Sequence, residues 1–385
     1  MSIQDKTDKQ GPRKLLALDG GGIRGIMTLE VLARIEEELQ NKLGRDDKLV
    51  LADYFDYIAG TSTGAIIATC LSIGMRVSEI RDFYIDSGPA MFDRTNLIRR
   101  FSRNKFHDQK LAAKLQDVIA RKTGEPEATL GSDALRTYLL IILRNATTDS
   151  PWPISNNPAA KYNDRTRAVS NLDLPLWQLV RASTAAPTYF PPEVITIRDS
   201  KLIDHEFVFV DGGVTMFNNP AFQLFLMATI APYNLRWPTG EDKILLVSIG
   251  TGSAANANAN LSPGQMNIIY NASSIPSALM FAAANEQDFL CRVFGNCLNG
   301  GMIDREVGVV MSGINGQGPV FPKLFTYMRY NADLSRVGLD NLGLTHIEPR
   351  NVQKLDSIDH ISELQEVGRS VGKQVDIAHF AGFLQ

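Results

Sequence analysis

The 385-residue sequence contains only three cysteines, Cys70, Cys291 and Cys297, and no pair of them has the spacing of a zinc site. They are too few and too scattered for a disulfide framework, so a reducing compartment is expected. Charge of one sign is also missing, because 39 lysines and arginines stand against 42 aspartates and glutamates, a net charge of −3. Neutralising a phosphate backbone takes a basic excess, so no nucleic-acid polymer is expected as a partner. Long apolar runs are absent. The greasiest stretches, Ala221 to Ala231 and Ser277 to Ala284, fall short of the roughly 18 to 20 residues that cross a bilayer. Met1 to Lys14 is polar and mixed in charge, without the apolar centre of a secretory signal. A cytoplasmic protein, soluble or resting on a membrane surface, is therefore expected. No His, Cys or Asp cluster has ligand spacing, so no metal or other cofactor is expected, and no solenoid-length repeat is visible.

Apolar residues at 44% and charged residues at 21% are ordinary for a globular protein, and the length allows two or three domains. Leu15 to Leu18 is a short apolar run that stops at Asp19 and three glycines, which reads as a buried strand feeding a tight turn. Leu32, Ile35, Leu39 and Leu43 then recur at helical spacing, with Glu30, Arg34 and Glu38 placed for i,i+4 pairs on another face. Phe55 to Ala59 is a second apolar run. Ala65 to Ile73 is apolar almost all round, as a helix enclosed on every side must be. Leu139 to Leu143, Phe207 to Val210 and Ile244 to Ile249 read as interior strands; Leu176 to Ser183, Ala221 to Ile230 and Pro276 to Val293 read as helices. Such alternation predicts an α/β fold with a mostly parallel sheet covered on both faces. Thr147 to Arg165 and Ser253 to Pro263 read as surface loops.

Three motifs carry chemistry. Gly60-Thr61-Ser62-Thr63-Gly64 is a G-x-S-x-G between a strand and a helix. A nucleophilic serine needs that context, since it must sit on a strained turn with its hydroxyl exposed and the helix N-terminus facing developing negative charge. A plain Gly/Ser/Thr turn without chemistry is the competing reading. Asp19-Gly20-Gly21-Gly22-Ile23-Arg24-Gly25 also joins a strand to a helix. Its glycines let backbone amides approach a ligand, as an oxyanion hole requires. Gly20, Gly22 and Gly25 also fit the dinucleotide pattern G-x-G-x-x-G, with Asp46 or Asp47 as the later acid, and a strand ending in Asp-Gly-Gly also opens the phosphate loop of actin-like sugar kinases. Asp211-Gly212-Gly213 places a carboxylate at the end of a strand, where open α/β sheets bind ligands, although Asp-Gly alone is a common turn. An elbow, an anion loop and a strand-terminal carboxylate on one sheet favour acyl transfer.

With these residues in place, the chain resembles the patatin-like phospholipase family. The loop at Asp19 to Gly25 is similar to the family's D-G-G-G-x-[KR]-G, the elbow to its G-x-S-x-G, and Asp211 to Gly213 to its D-G-[AG]. Flanking phrases agree: Leu51 to Asp56, Ala182 to Pro191, Asn218 to Ala221 and Leu246 to Gly252. The resemblance implies a three-layer α/β/α domain over residues 13–340; residues 1–12 read as a flexible tail, and residues 341–385, which match none of the family's phrases, read as a helical extension. It implies a Ser–Asp dyad of Ser62 as nucleophile and Asp211 as general base. The oxyanion would be held by Gly20, Gly21, Gly22, Ile23, Arg24 and Gly25, and Gly60, Thr61, Thr63 and Gly64 would form the nucleophile elbow around Ser62. A phospholipid substrate follows. The order Ser…Asp…His leaves a triad completed by His346, His360 or His379 as an alternative; a storage or scaffold protein that keeps the fold is another.

Between Asp93 and Lys110, Arg94, Arg99, Arg100, Arg103, Lys105 and Lys110 outnumber Asp93 and Asp108 and alternate with Leu97, Ile98, Phe101 and Phe106. Basic and aromatic residues together suit an anionic membrane surface; a solvated loop with its apolar side chains turned inward competes. Some bacterial members of the family are switched by cyclic nucleotides, so the resemblance leaves room for such an activator.

Overall fold

The computed structural model describes residues 3–45, 48–92, 108–166, 170–187, 189–198, 201, 203–253, 268–304, 306–311 and 319–384. Among them are strands β1 (Arg13–Leu18), β2 (Tyr57–Thr61), β3 (Tyr138–Asn145), β4 (Ser150–Ser155), β5 (Glu193–Arg198), β6 (Asp204–Asp211), β7 (Ile244–Ile249), β8 (Asn296–Asn299) and β9 (Thr326–Tyr330). They form one sheet in the order β5-β6-β3-β2-β1-β7-β9-β8, with β4 also paired to β3. From β3 across to β8 every neighbour is parallel; β4, β5 and β6 run antiparallel to their neighbours.

Alternate residues of each central strand face opposite sides. Leu16, Leu18, Ile58, Ile141 and Val247 face a thick layer made by α1 (Gly25–Leu43), α2 (Thr63–Ser72), α3 (Val77–Phe92), α4 (Asp108–Thr123) and α5 (Leu176–Ser183). Leu15, Ala17, Tyr57, Leu140 and Leu246 face a thinner layer containing α6 (Ala221–Thr229) and the end of α7 (Ile268–Phe294). The fold is thus a three-layer α/β/α with a mostly parallel sheet. Every residue of α2 is buried, as its all-round apolarity requires.

The tail folds back onto the thick layer. α8 (Ile361–Gly372) sets Leu364, Val367 and Val371 into the same core as α1, and Phe380 and Phe383 follow them in. Gly368 permits the close approach, since a Cβ there would stand 2.7 Å from Met27 O. Glu30 is drawn into this contact. It was expected to pair along its own helix face, but it is buried and accepts from Gln365 Nε2 at 2.8 Å and Arg369 Nε at 3.2 Å. Arg34 makes the expected i,i+4 pair with Glu38 and adds one with Glu37.

Two segments differ from the sequence reading. Thr147 to Arg165, read as a loop, contains β4; its Pro151 and Pro153 suggest a break, but among the described strands it pairs with β3 alone, and its Trp152 packs on Phe207 and Phe209 at ring separations of 5.5 and 5.1 Å. Residues 3–8, read as part of a flexible tail, form a helix, Ile3–Asp8, whose Lys6 is buried and donates to Phe55 O at 2.9 Å. The polar composition that suggested flexibility supplies the anchors, because Lys9 Nζ also reaches Asp56 at 2.7 Å. Arg94, Arg99, Arg100, Arg103 and Lys105 lie outside the described residues, as do Asp46, Asp47 and most of Ser253 to Pro263. Among the described residues no helix is long and apolar enough to cross a membrane.

Candidate active site

Strand register brings the two motifs together across 149 residues of chain. β2 ends with Thr61 opposite Ile142 of β3, and β6 arrives from the other direction with Asp211 opposite Leu143. Ser62 and Asp211 therefore leave the sheet beside consecutive residues of one strand. Ser62 Oγ donates to Asp211 Oδ2 at 2.5 Å.

The elbow is as tight as its glycines suggest. Ser62 has φ 55 and ψ −122, a left-handed backbone that side chains rarely adopt, and α2 begins at the next residue. A Cβ on Gly60 would stand 2.1 Å from Gly64 O, and one on Gly64 would stand 2.3 Å from Leu18 O. Neither position has room for a side chain. The turn is fastened by Thr61 Oγ1 donating to Phe217 O at 2.6 Å, and by Ser62 N donating to Ser183 Oγ at 2.9 Å, whose hydroxyl in turn donates to Ile142 O at 2.7 Å. Thr63 Oγ1 meets Tyr84 OH at 2.6 Å.

Asp211 is buried, and its Oδ1 accepts from Gly213 N at 2.6 Å. Burial pushes its carboxyl up to about 6, against the hydrogen bonds from Ser62 and Gly213 and the charge of Arg181, which favour ionisation. Among the described residues no imidazole bonds to either Ser62 Oγ or Asp211. His346 bonds Glu366 at 3.1 Å and His360 bonds Glu363 at 2.8 Å, both within the tail.

The glycine loop is sorted by what its amides already do. Gly20 N donates to Asn218 O at 3.1 Å, Ile23 N to Leu355 O at 3.0 Å and Arg24 N to Gly21 O at 3.2 Å, while Gly25 N turns back to Gly22 O and Ile23 O. Of the six expected positions, only the Gly21 and Gly22 amides have no partner among the described residues. Both glycines are sterically required. A Cβ would stand 2.1 Å from Thr251 Oγ1 at Gly21, and 2.3 Å from Leu355 O at Gly22, where φ is +60. Thr251 Oγ1 also donates to Gly20 O at 2.8 Å. Asp19, the motif's first residue, is anchored rather than poised for chemistry, because both its oxygens accept from the buried Arg329, at 2.8 and 2.5 Å.

Arg24 extends its guanidinium away from the loop, where Nη1 donates to Gln353 O at 3.1 Å. Desolvation lowers it to about 10, so it stays charged at neutral pH. With Asn218, Thr251, Met280, Asn285 and Gln353 it lines a cavity of 140 Å³ beside the loop. Arg181, Ser183 and Asn218 were not among the site residues read from sequence. Ser183 and Asn218 fall in the flanking phrases that resembled the family, which was the available signal; Arg181, buried over the Phe190 ring at 5.5 Å, adjoins the first of them.

The sequence model of the Patatin-like phospholipase family matches residues 16–225, a span holding the glycine loop, the elbow and Asp211. The chain belongs to the patatin-like phospholipase family. The dinucleotide and sugar-kinase readings of the glycine loop give way to that membership. Patatin-like protein 1 of Arabidopsis thaliana is 30% identical over 260 residues, covering 62% of this chain and 58% of that protein. Patatin-17 of Solanum cardiophyllum is 31% identical over 254 residues, covering 63% and 61%. The match thus spans about three fifths of these two relatives' length. Patatin-like protein 2 of Oryza sativa subsp. indica is 27% identical over 395 aligned positions, 94% of this chain and 87% of that protein, so the likeness continues past the matched domain into the tail. Among solved structures, VipD from Legionella pneumophila aligns over 93% of this chain and 67% of that one at a TM-score of 0.35 and 13% identity, too loosely to add to the assignment.

Proposed function

We propose that this patatin-like protein is a serine acyl hydrolase that cleaves fatty-acyl esters of phospholipids through a Ser62–Asp211 dyad. The observation that carries the reading is the 2.5 Å contact of Ser62 Oγ with a buried carboxylate at a strained elbow, with the Gly21 and Gly22 amides of the adjoining loop unpartnered among the described residues. Asp211 accepts the Ser62 proton as Oγ attacks the ester carbonyl. The developing oxyanion is met by the Gly21 and Gly22 N–H groups, each such donor contributing about 3 kcal/mol to transition-state stabilisation. Collapse expels the lysolipid alcohol, protonated from Asp211, and leaves an acyl-Ser62 that water hydrolyses.

A fluorophosphonate probe followed by peptide mass spectrometry is expected to label Ser62. Ser62→Ala and Asp211→Asn are expected to lower hydrolysis of a 4-nitrophenyl ester and of phosphatidylcholine vesicles by at least about 1,000-fold with the fold intact by circular dichroism. Retained turnover in either variant, or its loss in a His346, His360 or His379 variant, would overturn the dyad.

For membrane docking we propose the strip containing Arg94, Arg99, Arg100, Arg103 and Lys105, on composition alone. Each cation near an anionic surface contributes about 1 kcal/mol, so reversing Arg99, Arg100 and Arg103 to glutamate is expected to weaken co-sedimentation with phosphatidylserine vesicles by at least about 100-fold. Equal binding of the variant would remove that role.

A further inference from the structure

Asn218 is 7% exposed, and its Oδ1 is fully buried without a hydrogen-bond partner among the described residues. Such an acceptor is costly to leave unpaired. Its location is specific. A Cβ on Gly20 would stand 2.5 Å from Asn218 Oδ1 and 3.1 Å from Ser62 Cβ; a Cβ on Gly213 would stand 2.9 Å from Asn218 Oδ1 and 3.0 Å from Asp211 Oδ1. Oδ1 therefore lies near both members of the proposed dyad, and Asn218 also lines the cavity beside the glycine loop. Its backbone carbonyl, bonded to Gly20 N, fixes the residue in place independently of the side chain.

We propose that Asn218 Oδ1 holds the water that hydrolyses the acyl-enzyme. This rests on the acyl-hydrolase reading above and assigns a residue to its second half. Acylation needs one proton acceptor, because the serine hydroxyl carries one hydrogen, and Asp211 Oδ2 fills that role. Once Ser62 is acylated it no longer donates, and Asp211 Oδ2 becomes free while Oδ1 remains bonded to Gly213 N. An incoming water carries two hydrogens. One goes to Asp211 Oδ2 as the water oxygen attacks the acyl carbon, and the other needs an acceptor, which Asn218 Oδ1 supplies. The carbonyl electron pair moves onto the oxygen facing Gly21 and Gly22. On collapse the C–Oγ bond breaks, Ser62 Oγ recovers the proton from Asp211, and the fatty acid leaves.

The consequence is that Asn218 matters for deacylation far more than for acylation. Stopped-flow hydrolysis of 4-nitrophenyl butyrate reports both steps. Asn218→Ala is expected to release about one nitrophenolate per enzyme in a burst, then turn over roughly 10- to 100-fold slower than the native chain, with butyryl-Ser62 accumulating in intact-protein mass spectra. Asn218→Asp keeps an acceptor of the same shape. It is expected to accumulate no acyl-enzyme and to move the acidic limb of the pH–rate profile upward, because a second carboxylate beside Asp211 opposes its ionisation. Burst and steady rates falling by one common factor in Asn218→Ala, or acyl-enzyme accumulating in Asn218→Asp with an unmoved limb, would overturn the proposal. If Asn218→Ala does not fold, the Asn218→Asp measurements decide alone. Failure of the native chain to release nitrophenolate or acylate Ser62 would remove the acyl-hydrolase reading itself, and this one with it.

Discussion

On the dyad proposed above, Asp211 joins catalysis to stability through one carboxylate. Its ordinary value of 3.8 is raised to about 6 by burial, so the folded chain binds this proton more tightly than the unfolded chain does. Stability is therefore lost as pH rises from about 4 to about 6 and stays lower above that window, while the ionised carboxylate that the proposed mechanism requires predominates only above it. Hydrolysis is expected to fall tenfold per pH unit below about 6 in kcat/KM profiles. Asp211→Asn is expected to be inactive yet roughly 1–3 kcal/mol more stable at pH 8, with the gain gone near pH 4, which denaturant titrations at the two pH values would check. At this scale the sequence marked both residues of the proposed dyad, since each sits in a glycine motif that its backbone requires. It did not display which amides were available. Ile23 is occupied by Leu355, more than 300 positions away, and Arg24 by the local turn at Gly21. Asn218, too, acquires its meaning only from Gly20 and Gly213, which belong to two different loops.

At the scale of elements, local composition served where one environment surrounds a segment and failed where environments mix. β7 and α5 run over the residues that their apolar patterns marked, because every position of β7 and one face of α5 are buried. β4 was hidden by Pro151 and Pro153, which are tolerated where a strand pairs on one side only. Glu30 was hidden by its own helix, whose regular charge spacing gave no sign that α8 would claim it. The α1–α8 contact depends on the missing side chain at Gly368. Gly368→Leu is expected to destabilise the chain by about 3 kcal/mol, through overpacking against Met27, with a matching drop in thermal midpoint. An unchanged midpoint would mean that the two helices can separate without cost.

For the whole molecule, the tail and the N-terminal helix close the fold from opposite ends of the chain. Leu364, Val367, Val371, Phe380 and Phe383 are all buried in the core that contains α1 and α2. Burying each contributes roughly 1.5–3 kcal/mol, and together this rivals the total stability of about 5–15 kcal/mol typical of a domain. A chain ended after Asn341 is expected to lose cooperative unfolding and to aggregate on expression; a sharp transition from the shortened chain would contradict this. The three-layer α/β arrangement was legible from alternating strands and helices. The antiparallel entry of β6 was not, because pairing direction is decided by partners far away in sequence.

That entry has a consequence for how such a protein can vary. Since Ser62 and Asp211 are each located by a neighbouring position on β3, their separation is measured across one peptide unit and not along the intervening chain. Loops between them are free to grow, shrink or exchange sequence without changing the reach from hydroxyl to carboxylate. Changes in loop length between the two residues would thus leave the geometry of the proposed dyad in place.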